Sequence, residues 1–389
     1  MPKNIIYCAD GTWNSGKRTN TNVHRFHEAL ASTPTQVKIY DPGVGTEGNL
    51  LSRLRGGAFG RGLIENVREG YGRIADVFEE GDRLFLIGFS RGAYTARSLG
   101  GMIAYCGLPS RRPTGRLVEQ AFRAYRNRTP EDKKWVGPSG GTRMVDGHIE
   151  MIGVWDTVGT LGIPGALFGR LDQKDYGFLD TRLHRDVKAG YHALSLDERR
   201  RQFPPTLWEG PAADGQTIEQ VWFAGVHCDV GGGFPTTSLA DISLAWMLSN
   251  AERHGVEIDP VVASTYPALL LDCTAALGPV NESWNPLWGF PRRRTVGSDA
   301  RVADSVVFRV TMNSRYSPPL TMDNNPRRLS ASYRLARWFA SNRSPPASIS
   351  TTGNSVFTRV WRDRTREARV VVYSNSRWPI APIRWSQPR

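Results

Sequence analysis

The residues best placed to do chemistry are a serine, an acid and a histidine, each following an apolar run. Ser90 lies in Gly88-Phe89-Ser90-Arg91-Gly92, after Leu84–Ile87 and before the small-residue segment Ala93–Tyr105. A serine on a sharp strand-to-helix turn lifts its Oγ above a sheet edge, and flanking glycines keep the turn clear of its neighbours. The first amides of the following helix, starting at Arg91, then face the charge that develops on a substrate oxygen. The structural alternative is a tight connection with Ser90 as helix N-cap, which leaves both glycines unexplained.

Partners for such a serine arrive in chain order acid, then histidine, each at the end of a later strand. Asp156 follows Ile149–Trp155, and His227 follows Val221–Val226. In this arrangement His227 takes the Ser90 proton and returns it to the leaving group, while Asp156 orients the imidazole. His192 is the competing base, within Tyr191–Arg200, and Asp229 and Asp241 compete as the acid. Asp229 stands two residues from His227, too near to come from a separate strand, and reads as a turn-stabilising carboxylate. The other five histidines lie in polar or charged surroundings.

A second stretch delivers polar groups to a strand end, Ile5-Ile6-Tyr7-Cys8-Ala9 running into Asp10-Gly11-Thr12. A phosphatase of the haloacid-dehalogenase type needs a carboxylate nucleophile where Cys8 stands, so that reading fails. The other reading is a supporting loop for Ser90. Gly11 lets the backbone approach substrate, Thr12 or Trp13 donates an oxyanion amide, and Asp10 pins the loop. A plain Asp-Gly turn is the alternative.

The elements that must position these groups alternate strand-like and helical patterns up to about residue 255, the mark of α/β layering. Strands are expected at Ile5–Ala9, Val37–Tyr40, Leu84–Phe89, Ile149–Trp155 and Val221–Val226. Helices are expected at Gly62–Glu80, Ala93–Tyr105, Arg116–Arg126 and Ser238–His254, with Gly-rich loops at Gly43–Gly45, Gly56-Gly57 and Gly231–Gly233. After Asp259 Pro and Ser become frequent; Val306–Met312 and Ala368–Tyr373 read as strands and Ala331–Ala340 as a short helix. The expected division is a catalytic domain over 1–258 and an Arg-rich accessory region over 259–389.

Charge supports that division. The chain carries +13 overall, yet the residues from Arg292 onward hold nineteen Arg, no Lys and five acids. The preceding sequence is therefore close to neutral. Twelve Trp and 40% hydrophobic residues exclude a disordered chain. The most apolar stretch, Tyr266–Leu277, is broken by Asp272 and is too short to span a bilayer. No signal peptide is visible, and Cys8, Cys106, Cys228 and Cys273 form no CxxC pair, so neither a metal site nor a disulfide framework is indicated. The expectation is folding in a reducing cytoplasm, with export by a machine that reads no N-terminal signal as the other route. The chemistry requires no cofactor.

Taken together, NIIYCADGTWN, FLIGFSRGAYTARSLGGMI, IGVWDTVGTLG, HALSLDERRRQF and VWFAGVHCDVGGGF resemble the uncharacterised α/β-hydrolase family that includes the catalytic domains of type VI secretion phospholipase effectors. The likeness covers about the first two-thirds of the chain. It implies an α/β-hydrolase-like fold, with a mostly parallel central sheet and helices on both faces. It also implies a serine esterase with Ser90, Asp156 and His227 as its triad, and a HALSLDERR block packed near the active site.

Two functions of different kind compete. One is a serine hydrolase of carboxyl esters, including lipids, whose basic C-terminal region holds an anionic membrane surface. The other is a nucleic-acid or anionic-surface binding protein on a degenerate scaffold, with Arg292–Arg294, Arg327-Arg328 and Arg362–Arg369 on phosphates and Trp338, Trp361 and Trp378 stacking on bases. The filled triad positions disfavour the second, because a binding module has no need of them.

Overall fold

The computed structural model describes residues 2–11, 20–43, 58–128, 134–138, 141–158, 181–263, 273–297, 300–313 and 315–320, and strands at 357–362, 368–373 and 383–384. The strands that bear on the site are β1 (Asn4–Ala9), β2 (Gln36–Asp41), β3 (Arg83–Phe89), β4 (His148–Trp155), β5 (Ala189–Ser195), β6 (Thr217–Phe223) and β7 (Arg301–Val302). Around them lie helices α1 (Asn22–Ala29), α2 (Ala58–Val77), α3 (Arg91–Cys106), α4 (Gly115–Asn127), α5 (His227–Gly231), α6 (Ser238–Arg253) and α7 (Asp304–Met312).

One seven-stranded sheet forms in the order β2-β1-β3-β4-β5-β6-β7, and every neighbouring pair is parallel. Parallel strands covered on both faces must be apolar on both, and β1 and β3 are accordingly buried almost throughout. Alternate residues serve opposite faces. Ile5, Tyr7, Leu84 and Leu86 pack with Val67, Tyr71, Leu99 and Phe122 of α2, α3 and α4. Ile6, Cys8, Phe85 and Ile87 pack with Val23, Phe26, Leu244 and Met247 of α1 and α6. Each large side chain buried this way contributes about 1.5–3 kcal/mol.

The chain builds β2 on one side of β1 and β3 on the other, so strand order reverses between β1 and β3. Open α/β sheets place their crevice at such a point, beyond the carboxyl ends of the strands. Asp10 and Ser90 follow the ends of those two strands.

The region expected as accessory packs partly on this sheet. Strand β7 extends it beside β6, and Val296, Val306, Tyr316 and Leu320 join Leu194 and Trp222 in a third core. Val306–Met312, expected as a strand, is within α7. Its β-branched run reads as extended in isolation, but Val306 buries in the third core and Arg309 donates to the carbonyls of Ala276 and Gly278. Burial overrides propensity there. The expected strand at Ala368–Tyr373 forms and pairs antiparallel with Phe357–Arg362. The helix expected at Ala331–Ala340 lies outside the described residues, as do Gly45 and Gly56-Gly57.

Candidate active site

Ser90 joins β3 to α3 with φ 57° and ψ −114°. Among the described residues, it and Asp156 (φ 40°) are the two non-glycine residues with positive φ. Such a conformation costs on the order of 1–3 kcal/mol and persists where the surroundings enforce it. Here the enforcement is close backbone contact. A Cβ on Gly88 would overlap the carbonyl of Gly92, and one on Gly92 would overlap the carbonyl of Ala9 at the end of β1. The Ser90 side chain makes no capping hydrogen bond to α3, so the N-cap alternative does not describe it.

Ser90 and Asp156 are neighbours through the sheet. Phe89 pairs with Trp155, and the Ser90 amide donates to the Trp155 carbonyl at 3.0 Å. From the end of β4, Oδ2 of Asp156 lies 2.6 Å from Nδ1 of His227. Strand β6 ends at Phe223 rather than Val226. Gly225, at φ 112°, turns the chain so that His227 opens α5 instead of closing a strand. The imidazole sits between the rings of Phe89 and Phe203, with centroids 4.6 and 5.1 Å away. With Asp156 ionised, Nδ1 carries the proton and Nε2 is the free base. Among the described residues Nε2 has no hydrogen-bond partner. Ser90 Oγ makes no hydrogen bond to it, a contact that often tightens only with substrate bound.

The carboxylate of Asp156 is fully buried and held from four directions. Besides His227 it accepts from the amide and Oγ of Ser195, both at 3.0 Å, and from Nη1 and Nη2 of Arg294 at 2.5 and 2.9 Å. Arg294 also donates to the carbonyls of Ser195 and Phe203, each at 2.8 Å. Burial alone would raise the Asp156 pKa. The Arg294 charge and the His227 hydrogen bond outweigh it and hold the carboxyl well below the usual range. His227 is pulled below the ordinary histidine value by burial, with Asp156 opposing.

The block HALSLDERR lies against these groups. Ser195 bonds Asp156, and Glu198 accepts the His227 amide at 3.2 Å. Burial would raise the Glu198 carboxyl, but hydrogen bonds from Arg200 lower it. Sequence reasoning placed this block near the site only through family resemblance and missed Arg294 as a site residue, since nothing separates it from its two arginine neighbours. Counted among phosphate contacts, Arg294 is instead spent inside the site.

The opening loop lies beside the serine. A Cβ on Gly11 would stand 3.6 Å from the Ser90 Cβ. Asp10 is buried and accepts from the Gly11 amide at 2.6 Å, Thr21 Oγ1 at 2.5 Å and Tyr40 OH at 2.6 Å. Burial raises its carboxyl, with these bonds opposing. Gly11's amide is therefore engaged by Asp10, and the next one, Thr12, lies outside the described residues. Arg91 opens α3, where the first amides have no intrahelical acceptor. Cys8 is buried in the core with its thiol pushed far up by burial, so it offers no nucleophile.

The competitors have other duties. His192, on β5, accepts the Thr157 amide at Nε2 (3.1 Å) and faces Gln220 at Nδ1 (3.4 Å); burial and the Arg97 charge pull it down to about 3. Asp229 caps α5 through the Val226 amide and accepts from the amide and Nδ2 of Asn281, at 3.0 and 2.6 Å. Asp241 pairs with Arg25. Among the described residues no His, Cys, Asp and Glu cluster could hold a metal, and no helix is long and apolar enough to cross a membrane.

The uncharacterised protein YEL023C of Saccharomyces cerevisiae (strain ATCC 204508 / S288c) is 30% identical over 227 residues, 52% of this chain and 32% of the yeast protein. This chain thus spans about a third of that relative's length. Two solved structures at 18% identity are similar. An uncharacterised protein from Pseudomonas aeruginosa has TM-score 0.42, covering 89% of this chain and 60% of that one. The Tle1 effector bound to the VgrG spike from the type 6 secretion system has TM-score 0.38, covering 60% and 51%. The model of the family described as "T6SS, Phospholipase effector Tle1-like, catalytic domain" matches residues 3–250, and the chain belongs to that family.

Proposed function

We propose that the chain is a serine hydrolase that cleaves carboxyl esters of lipids, phospholipids among them, through an acyl-enzyme. Ser90 Oγ attacks the ester carbonyl carbon as its proton passes to Nε2 of His227. The oxyanion forms at the start of α3, against the Arg91 amide, with Gly11 leaving room for it. His227 then protonates the departing alcohol, and water deacylates Ser90 by the same route reversed. Asp156 keeps the imidazole in the tautomer that leaves Nε2 basic, and Arg294 and Ser195 keep Asp156 ionised and fixed. The observation that carries this reading is the 2.6 Å contact of Asp156 with His227 Nδ1, leaving Nε2 unpartnered, beside a serine held at positive φ.

Family membership supports a lipid ester, and its link to type VI effectors supports delivery by a machine that reads no N-terminal signal. A panel of acyl esters and phospholipids, assayed on wild type and Ser90→Ala, tests the proposal. Turnover of at least one acyl ester, lost in the variant, is expected. Turnover that persists in Ser90→Ala would refute it.

A further inference from the structure

Two arginine triplets far apart in the sequence, Arg199–Arg201 and Arg292–Arg294, run side by side, joined by the Arg292 amide donating to the Arg199 carbonyl at 2.9 Å. Each sends one member inward. Arg200 is buried on Glu198 and lies 3.7 Å over the ring of Phe203, and Arg294 is buried on Asp156. Arg201, Arg292 and Arg293 are exposed. Arg199 pairs with Glu282, and among the described residues Arg292 meets no carboxylate.

Ahead of the second triplet the chain runs Gly289-Phe290-Pro291. Phe290 is 92% exposed, the most exposed large apolar side chain among the described residues. Its loop is braced. Trp284 Nε1 donates to the Gly289 carbonyl and Gln202 Nε2 to the Trp288 carbonyl, both at 2.9 Å. The Trp288 ring meets Phe203, centroids 5.7 Å apart, and Phe203 in turn meets His227. Arg294 ties the far end to Asp156. Four residues of extended chain reach at most about 14 Å, so Phe290 cannot stray further than that from the arginine that holds the catalytic acid.

Single exposed apolar residues are ordinary on protein surfaces. This one differs in sitting on a braced loop, followed by two exposed arginines and flanked by Trp288 and Arg294, which contact the groups around His227 and Asp156. An aromatic tip with guanidinium neighbours matches a bilayer interface, where the ring enters at headgroup level and the arginines take lipid phosphates. A protein partner would require a broader apolar patch than one ring.

We infer that the loop Gly289–Arg293, together with Arg201, is the surface by which this protein docks on an anionic lipid bilayer, setting Phe290 into the interface. The inference rests on the lipid-ester reading above and adds the place and charge of the substrate's carrier.

The test is partition of the full chain, as Ser90→Ala to spare the lipid, onto vesicles of phosphatidylcholine with phosphatidylglycerol or of phosphatidylcholine alone. Phe290→Ser should weaken binding to the mixed vesicles about tenfold. Arg292→Gln and Arg293→Gln should weaken it about fivefold each, with no such effect on phosphatidylcholine alone. In the Ser90 background, Phe290→Ser should lower vesicle hydrolysis and leave a soluble short-chain ester untouched. Equal partition of wild type and loop variants would overturn the inference, as would tighter binding to single-stranded DNA than to mixed vesicles, lost in the same variants. Failure of the wild type to hydrolyse the soluble ester would instead count against the hydrolase reading, with partition still deciding the docking surface.

Discussion

Arg294 grips both carboxylate oxygens of Asp156, at 2.5 and 2.9 Å, while His227 shares one of them at 2.6 Å. A buried ion pair of this kind adds little net stability as a unit, but removing one partner strands the other charge. Arg294→Met should therefore lower unfolding stability by about 3–5 kcal/mol. Asp156→Asn should do likewise and reduce kcat by about four orders of magnitude. In the double variant the two losses should be far from additive, recovering stability but not activity. Denaturant titration of the four proteins measures this, and strict additivity would show that the two groups are not coupled.

The same pair predicts opposite movements of a pH profile. In the proposed mechanism His227 must be neutral to accept the serine proton, and its pKa is lowered by burial. The acid limb of kcat/KM should thus lie below the ordinary histidine value of about 6.5. Losing the nearby positive charge in Arg294→Gln should shift the limb to higher pH. Losing the negative charge in Asp156→Asn should shift it to lower pH in whatever activity remains. Limbs that move together would contradict the assignment.

Strain at Ser90 gives a third expectation. Ser90 holds φ 57° against a crowded backbone. Ser90→Gly removes the left-handed penalty and should raise stability by about 1 kcal/mol while abolishing turnover. Ser90→Ala keeps a Cβ in the same conformation and should leave stability nearly unchanged, with turnover down by roughly four to six orders of magnitude. Thermal unfolding of both variants, read beside ester assays, separates the two effects.

His192 sets an acid limit to folding. Its pKa falls to about 3 because burial and Arg97 disfavour the charged form. A histidine depressed on folding stabilises the native state above its unfolded pKa, near 6.5, and that stability is lost as pH falls toward the folded value. Between about pH 6.5 and 3 this one proton should remove about 1.4 kcal/mol per pH unit. His192→Gln, which retains an acceptor for the Thr157 amide, should show a slope shallower by that amount.

The sequence carried the sheet and the serine turn because both are local. Leu84–Phe89 is apolar on every residue, as a doubly covered strand must be, and Gly88 and Gly92 mark a turn that admits no side chain. His227 could be named from its place after an apolar run, but not the turn at Gly225 that makes it the start of a helix. Strand β5 was missed because Gly190, His192 and Ser195 break its apolar pattern; two of those polar groups are buried supports of the site, His192 on the Thr157 amide and Ser195 on Asp156. Arg294 was illegible. Which of three consecutive arginines turns inward depends on how residues 285–297 lie across the sheet end, a tertiary fact with no local signature.

The most direct test of the central claim is labelling with a fluorophosphonate, which reacts with a serine activated by a neighbouring base. Folded wild type should take up one label, located by mass spectrometry on the peptide bearing Ser90, with Ser90→Ala unlabelled and His227→Ala labelled far more slowly. Folded wild type that stays unlabelled, or carries the label on another serine, would contradict it.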